Sequence, residues 1–258
     1  MRYDKQNKRI ENLSQQVTDL IRQNAVLKNE VDSTREILNN TLHEIRRFSA
    51  QLSKFCERIS RDTQSDPGLN QAALSAFYTA GMISSRLAYT DIELNPKAIE
   101  SQTPLRSGIF KKFDKTKRIL AEEAKNRNVT ISLIGESRTE IDALPVFELL
   151  PFVILENAVK YSPQNQTIEI IFESFSGRQQ VTVKSYGPDV EDDELPRLFE
   201  KGFRGALTKT MPGEGLGLFL AKRVCDFHGI SIFAEVRNRK KFIFNGIGYS
   251  EFLIQVRF

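Results

Sequence analysis

The chain has 258 residues, of which 40% are hydrophobic, a length that allows one well-packed domain plus an elongated appendage. It has no apolar run of membrane-spanning length and no apolar core of a signal peptide near Met1, so we expect a cytoplasmic protein without membrane insertion. The formal net charge of +4 is small and basic residues alternate with acidic ones, which solvated helix faces explain without a nucleic-acid partner.

A heptad pattern covers roughly the first 45 residues. Its positions alternate in steps of three and four: Ile10, Leu13, Val17, Leu20, Asn24, Leu27, Val31, Thr34, Leu38, Thr41 and Ile45. This period is typical of a left-handed coiled coil, in which Asn24 at an a position fixes register and dimer state. We therefore expect a coiled coil over residues 1–31 and a parallel homodimer. The alternative is a long amphipathic helix that packs on the chain's own globular domain.

The helical pattern continues to Ile59 and breaks at the turn signal Ser65-Asp66-Pro67-Gly68. A second helix is expected from about Leu69 to Leu94. Its apolar positions can face the first helix: Leu74, Phe77, Met82, Ile83 and Leu87. Two such hairpins from two chains would form a dimeric four-helix bundle over residues 32–97. Asn95-Pro96 should end the second helix, and residues 97–104 should form a linker.

The pattern after residue 104 is mixed. Helices are expected at 110–126, 144–161 and 216–228, and strands at 129–134, 167–175, 180–186, 230–236 and 249–258. These elements predict an α/β sandwich over residues 105–258, in which helices cover one side of a sheet, so the whole chain is of the α+β class. Residues 205–212 lack periodicity and are expected to form a mobile lid.

Two segments indicate a nucleotide site. The hexamer from Gly213 to Leu218 has glycines at alternate positions, which let backbone N–H groups approach a phosphate, and the helix expected after it favours an anion at its N-terminus. Farther upstream, Asn157, Lys160 and Tyr161 share one helix face. That face offers an amide oxygen for Mg²⁺, an ammonium for phosphate and a ring that can stack on a base.

These segments resemble motifs of the sensor histidine kinases of two-component systems, whose ATP-binding domain is of the GHKL, or Bergerat, type shared with gyrase. The resemblance covers residues from about 105 to the C-terminus. Four boxes occur in the family's order and spacing, namely an N box at 157–162, a first glycine box at 186–188, an F box at 198–204 and a second glycine box at 213–218. Residues 42–47 resemble the family's helical phosphoacceptor segment in the dimerisation domain.

The resemblance implies a kinase that autophosphorylates His43 from Mg-ATP, with Glu44 taking the ring proton, and that passes the phosphoryl group to a response-regulator aspartate. It implies ATP and Mg²⁺ as cofactors, with Asn157 as the metal ligand, and a receiver domain as a partner, and it leaves room for a separate sensor protein. Nucleotide contacts are implied for Asn157, Lys160, Tyr161, Ser185, Gly187, Arg204, Gly213, Gly215, Leu216 and Gly217.

The chain departs from the family pattern in both of the domains that the resemblance implies. Ser185 stands where the family has the acid that contacts the adenine amino group, and Val153 replaces the first asparagine of the N box. A hydroxyl binds an amine less strongly than a carboxylate does, so we expect a weaker ATP site. After His43, Arg47 and Phe48 replace a threonine or asparagine and a proline, which favours kinase over phosphatase activity.

Two other functions remain open. One is a non-enzymatic, ATP-binding signalling scaffold with a degenerate pocket, and the other is a gyrase-like ATPase, which would leave His43 and the heptad without a purpose. Structural roles are expected for three reactive side chains. His228 should pack at the end of its helix, and Cys56 and Cys225 lack metal-ligand spacing, which favours buried, reduced thiols.

Overall fold

The computed structural model describes residues 2–94, 102–175, 177–209, 211 and 213–258. They form two compact units, residues 1–49 and residues 50–258. The helix end expected at Asn95-Pro96 lies outside the described residues, as do residues 97–101 of the expected linker and Thr210 and Pro212 of the expected lid.

Helix α1 (Arg2–Asp62) provides the first unit and continues into the second. Its length confirms the long N-terminal helix predicted from the heptad. The apolar heptad side chains are exposed in the single chain: Ile10, Leu13, Val17, Leu20, Leu27, Val31, Leu38 and Ile45. An exposed apolar seam of this kind is what a coiled-coil partner would cover, and the partner itself stays a prediction.

Helix α2 (Pro67–Leu94) begins at the predicted turn signal. Pro67 occupies the first helical position, where its missing N–H group breaks no helical hydrogen bond. The Oδ1 atom of Asp66 accepts a hydrogen bond from the backbone N–H of Leu69 at 3.0 Å and so caps the helix. The amide of Asn70 donates to the hydroxyl of Ser60 at 3.0 Å, which ties the start of α2 to the end of α1.

Seven strands follow. They are β1 (Leu105–Gly108), β2 (Thr130–Ile134), β3 (Glu140–Ala143), β4 (Thr167–Phe175), β5 (Arg178–Pro188), β6 (Ser231–Phe244) and β7 (Ile247–Arg257). Five form a sheet in the order β2-β4-β5-β7-β6, in which only β2 and β4 are parallel. The sequence did not predict β1 and β3, which pair with each other, because four residues are too few to show alternation.

Four shorter helices accompany the strands: α3 (Ile109–Ile119), α4 (Ala121–Asn126), α5 (Leu149–Tyr161) and α6 (Gly217–Phe227). The single helix expected at 110–126 is divided at Leu120, whose N–H group bonds back to the carbonyl of Thr116 at 3.0 Å. Helix α5 packs on β5 and α6, and α6 packs on β6. Their apolar side chains meet those of Ile168, Ile170 and Val181 in one buried core.

The other face of the sheet is polar. The ammonium of Lys184 lies 3.0 Å from a carboxylate oxygen of Glu169 and 3.2 Å from one of Glu251. The hydrogen bond to Glu169, together with the one to Glu251, raises the pKa of Lys184 against the opposing effect of burial. Helices therefore cover one face only, which confirms the predicted α/β sandwich. No helix in the described part of the chain has both the length and the apolar character that crossing a bilayer requires.

Helix α2 is part of the same core. Met82, Tyr89 and Ile92 are buried with the side chains of the sheet and α5, and the hydroxyl of Ser85 donates to the carbonyl oxygen of Pro145 at 3.2 Å. The sequence predicted that Met82 can face the first helix, and the structure buries Met82 in this core. Buried residues occur around more than one side of α2, so its apolar pattern alone does not identify the neighbour of each position.

Structural roles were expected for His228, Cys56 and Cys225, and the structure buries the two cysteines and half-buries the histidine. His228 bridges two segments: its Nε2 accepts from the N–H group of Leu144 at 3.0 Å, and its Nδ1 donates to the carbonyl of Val224 at 2.7 Å. This arrangement confirms a structural role for His228. Cys56 and Cys225 are buried and not joined to each other, and burial raises the pKa of Cys225 to about 12.

We expect the stability of the second unit to decrease as His228 is protonated. Burial lowers the pKa of His228, against the opposing effect of its bond to Val224, so the unfolded chain takes up the proton more readily than the folded chain does. The contribution of His228 is thus fully present above the unfolded pKa of about 6.5 and is lost as the pH falls through the lower folded pKa. Urea unfolding between pH 8 and pH 5.5 should show a steeper decline for the wild type than for His228→Gln, and equal slopes would contradict this.

Candidate functional site

A cavity of about 700 Å³ lies in the second unit among α2, α5, the ends of β5 and β7, and the loop that precedes α6. All ten residues for which the sequence predicts nucleotide contacts line it: Asn157, Lys160, Tyr161, Ser185, Gly187, Arg204, Gly213, Gly215, Leu216 and Gly217. They come from four separate segments of the chain, so the fold is what brings them together.

Helix α5 places Asn157 on the cavity side, while the neighbouring Leu155 and Val159 are buried in the core. The amide of Asn157 makes no hydrogen bond to any residue that the structure describes and is half-buried. It lies against the first turn of α6, since a Cβ added at Gly217 would come within 2.9 Å of its Nδ2 atom. Only glycine at 217 leaves the amide this position, and the amide oxygen remains available to a ligand.

Lys160 and Tyr161 form a cationic and aromatic corner one turn farther along α5. The ammonium nitrogen of Lys160 lies 4.8 Å from the ring centroid of Tyr161, and within the described ranges it has no ion-pair partner. Gly213 passes so close that a Cβ there would collide with this nitrogen. Its φ of +137° also lies in a region that L-residues rarely adopt. The loop backbone and the ammonium therefore share one corner of the cavity.

The glycine loop then leads into α6. Gly215, with φ of +71°, accepts a hydrogen bond from the N–H group of Gly202 at 3.1 Å, and a Cβ there would lie 2.6 Å from the carbonyl carbon of Gly202. Leu216 precedes the helix, and no side chain caps its N-terminus. The first N–H groups of α6 thus lack side-chain acceptors, an arrangement that suits an anion.

Ser185 lies on the inward face of β5, opposite Phe252 of β7. It is 5% exposed, and its hydroxyl makes no hydrogen bond to any described residue. Gly187, two residues on, leaves room for Tyr161, whose Cβ is 4.0 Å from the position that a Cβ at 187 would take. This wall is apolar apart from the Ser185 hydroxyl and the nearby Asp189, and sequence reasoning did not single out the latter.

The Asp189 carboxylate is enclosed by the protein. Its Oδ1 atom accepts from the hydroxyl of Ser250 at 2.5 Å and from Arg239 at 3.4 Å, and the side chain is only 2% exposed. Arg239 also donates to the carbonyl of Val190 at 2.6 Å, which joins β6 to the chain that follows β5. Asp189 therefore braces this wall of the cavity through its Oδ1 atom.

Arg204 holds the segment that was expected to be a lid. Its Nη2 atom donates to the carbonyl oxygens of Thr208 and Met211, while its buried Nε–H group has no acceptor. The carboxylate of Glu194 accepts from the N–H group of Ala206 at 2.8 Å and supports the same segment. The Nη1 atom of Arg204 makes no hydrogen bond to a described residue, so it remains available to a phosphate while Nη2 holds the two carbonyls.

One wall of the cavity comes from α2, which sequence reasoning missed. The residues concerned are Thr79, Met82, Ile83, Arg86 and Leu87. Val153 of α5 lines the same cavity and is buried, so the apolar residue that replaces a polar one in the family pattern joins an apolar surface. Beside it, burial raises the pKa of Glu156, and the neighbouring Glu123 raises it further, against the effect of Lys160 and Arg86. The apolar positions of α2 fit a helical hairpin equally well, so no sequence pattern indicated that this helix forms a wall of the cavity.

His43 and Glu44 belong to the first unit and are exposed on α1, and neither is among the residues that line the cavity. Exposure leaves the imidazole accessible to a reaction partner. The roles of His43 as phosphoacceptor and of Glu44 as proton acceptor stay predictions.

Comparison with known proteins finds a family model, curated relatives and solved structures that resemble this chain. Residues 150–247 match the family described as histidine kinase-, DNA gyrase B-, and HSP90-like ATPase. Sensor histidine kinase YkoH of Bacillus subtilis is 22% identical over 210 residues, covering 80% of this chain and 46% of the relative. Sensor protein BceS of Halalkalibacterium halodurans is 42% identical over 89 residues, covering 33% of this chain and 26% of the relative. The chain thus spans less than half the length of either relative.

Among solved structures, the catalytic domain of histidine kinase ThkA superposes with a TM-score of 0.48 at 19% identity, covering 60% of this chain and 95% of that structure. The cytoplasmic segment of histidine kinase QseC superposes with a TM-score of 0.43 at 16% identity, covering 69% of this chain and 93% of that structure.

We expect Gly215→Ala to destabilise the second unit by about 1–3 kcal/mol, because a left-handed φ is strained for alanine and the added Cβ meets the backbone of Gly202. Gly246→Ala is the matched control, since Gly246 has a similar φ of +76° and open space around it. Thermal unfolding of both variants separates the two effects. A loss at Gly215 no larger than that at Gly246 would show that the close approach to Gly202 is unimportant.

Proposed function

Since the chain belongs to the sensor histidine kinases and carries an ATPase domain of the histidine kinase-, DNA gyrase B- and HSP90-like type, we propose that it transfers the γ-phosphoryl group of ATP to His43 and then to an aspartate of a response-regulator receiver domain. The observation that carries this proposal is the convergence of ten sequence-predicted residues on one cavity of about 700 Å³, a volume suited to a nucleotide.

Three groups in the cavity support a triphosphate as the ligand. The ammonium of Lys160 has no ion pair within the described ranges, and the first turn of α6 has no side-chain cap. Gly213 keeps the loop backbone free of a Cβ beside that ammonium. Cations and unpaired N–H groups are what phosphoryl oxygens require, so this corner would bind the phosphates.

The donor set also fits a magnesium ion. The free amide oxygen of Asn157 is a hard ligand of the kind that Mg²⁺ binds, with the remaining positions left to phosphate oxygens and water. When bound, the ion would supply positive charge that neutralises the β- and γ-phosphates. Val153 offers no second protein ligand from the same helix face, so the metal would depend on Asn157 and the nucleotide.

In the reaction, a ring nitrogen of His43, Nδ1 or Nε2, attacks the γ-phosphorus while the bond to the β–γ bridging oxygen breaks and ADP leaves. The other ring nitrogen becomes more acidic, and Glu44, its neighbour on α1, takes or shares its proton. The carboxylate of the receiver aspartate then attacks the same phosphorus and restores the neutral imidazole. Lys160 and Arg204 would offset the charge that develops during transfer.

We further propose that the protein acts as a homodimer, because the exposed apolar seam of α1 needs a partner helix. In this scheme, residues 1–31 form a coiled coil, residues 32–97 a dimerisation and phosphoacceptor domain, and residues 105–258 the ATP-binding domain. Signal input would enter through the coiled coil or from a separate sensor protein.

We expect His43→Gln to abolish protein phosphorylation and to leave ATP affinity unchanged, because the glutamine cannot form a phosphoimidazole. The control is His228→Gln, since His43 and His228 are the two histidines of the sequence. Acid-labile label from γ-labelled ATP should persist in the control and vanish in His43→Gln. Glu44→Gln should slow transfer by a factor on the order of 10² to 10⁴ without weakening binding.

The same assay distinguishes the other functions. Label that persists in His43→Gln would place the acceptor elsewhere. Release of free phosphate without labelled protein would indicate an ATPase, and ATP binding with neither product would indicate a scaffold.

We expect Asn157→Ala to abolish the contribution of Mg²⁺ to ATP binding, because the variant lacks the amide that would ligate the metal. Calorimetry with Mg²⁺ and with EDTA should give different affinities for the wild type and equal, weak affinities for the variant. Glu156→Gln is a neighbouring control on the same helix and should keep the dependence on Mg²⁺. A fully retained Mg²⁺ effect in Asn157→Ala would overturn the metal assignment.

A further inference from the structure

The hydroxyl of Ser185 is an unused polar group in an otherwise closed wall. Ser185 is 5% exposed and lines the cavity, yet it donates to and accepts from no residue that the structure describes. Val183, Phe252 and Ile254, which line the cavity beside it, are apolar. A hydroxyl on the cavity wall that makes no hydrogen bond within the described protein can bond to the edge of a ligand, so a ligand with a polar group at this edge would be favoured.

Among the described residues, the β5 wall of the cavity offers no free carboxylate that could bond to the ligand edge in place of the Ser185 hydroxyl. Asp189 is the one acid among the cavity-lining residues of β5 and the two residues after it, and Ser250 and Arg239 already bond to its Oδ1 atom. Its side chain is 2% exposed, and these two bonds hold the carboxylate toward Ser250 and Arg239. Glu156 and Glu214 also line the cavity, but they lie on α5 and on the glycine loop.

This difference in chemistry matters for base recognition. A carboxylate only accepts hydrogen bonds, so it binds the 6-amino group of adenine and repels a 6-oxo group. A hydroxyl has one donor and two acceptor positions, and it rotates to suit its partner. Serine accordingly pairs with bases that present either a donor or an acceptor.

We propose that the site accepts purine nucleoside triphosphates with either an amino or an oxo group at C6, because Ser185 is the polar group that meets this edge of the base. The proposal rests on the proposed function, namely that a nucleotide binds in this cavity with its base against β5. It extends the substrate class from ATP to ITP and, where the 2-amino group fits, to GTP.

The test compares ATP with ITP, which differ at C6 and otherwise match, by calorimetry with Mg²⁺ on the full chain. In the wild type, the two dissociation constants should lie within about tenfold of each other, since a neutral hydrogen bond contributes no more than that. Ser185→Asp should bind ATP at least as well as the wild type and weaken ITP by more than tenfold. Ser185→Asn, of the same size as aspartate but able to donate or accept, should keep both nucleotides within tenfold.

Three results would overturn the proposal. The first is a wild type that binds ATP but binds ITP more than tenfold more weakly. The second is an Asp variant whose preference matches that of the Asn variant, which would mean that residue 185 does not face C6. The third is the absence of any nucleotide binding by the wild type, which would overturn the proposed function as well. Thermal unfolding of both variants would establish that they are folded.

Discussion

The burial of one side of α5 is the constraint on which the site depends. Leu150, Ile154, Leu155 and Val159 are each at most 1% exposed and pack into the core between the sheet and α6. Full burial of such side chains stabilises the fold by roughly 1.5–3 kcal/mol each. The residues that follow Leu155 and Val159 are the charged Glu156 and Lys160, so a rotation that carried these two into the core would be costly. The core therefore restricts the rotational setting of α5 and, with it, the positions of Asn157 and Lys160.

The loop between β5 and α6 is shaped by close approach. Gly213, Gly215 and Gly217 each lie where a Cβ would overlap another group, namely Lys160, the backbone of Gly202 and the amide of Asn157. The glycines therefore act as spacers that let a loop, a helix terminus and α5 converge. The same convergence leaves an amide, an ammonium and a hydroxyl without a hydrogen-bond partner among the described residues, an arrangement that a folded chain tolerates where a ligand completes the bonding.

Helix α2 both packs into the core and lines the cavity, and its apolar sequence pattern does not show which side chains serve which purpose. Met82 contributes to the core beneath the helices and also lines the cavity, so packing on α2 and the shape of the site are linked. Val153 illustrates the result, because an apolar residue at a position that the family pattern makes polar meets an apolar wall in this chain. The local chemistry of the cavity thus depends on a helix distant in sequence from the motifs that identify it.

The sequence by itself determined the long N-terminal helix, the turn at Asp66-Pro67, the five strands of the main sheet with the helices beside them, and the residues of four motifs. These follow from periodicity, turn chemistry and motif spacing, all of which are local properties. Only the tertiary structure decided that α2 lines the cavity, that Arg204 holds the lid carbonyls, that Asp189 is enclosed and that β1 pairs with β3. Each of these depends on which surfaces meet across long stretches of chain, and an apolar or polar side chain does not specify its partner until the whole core has packed.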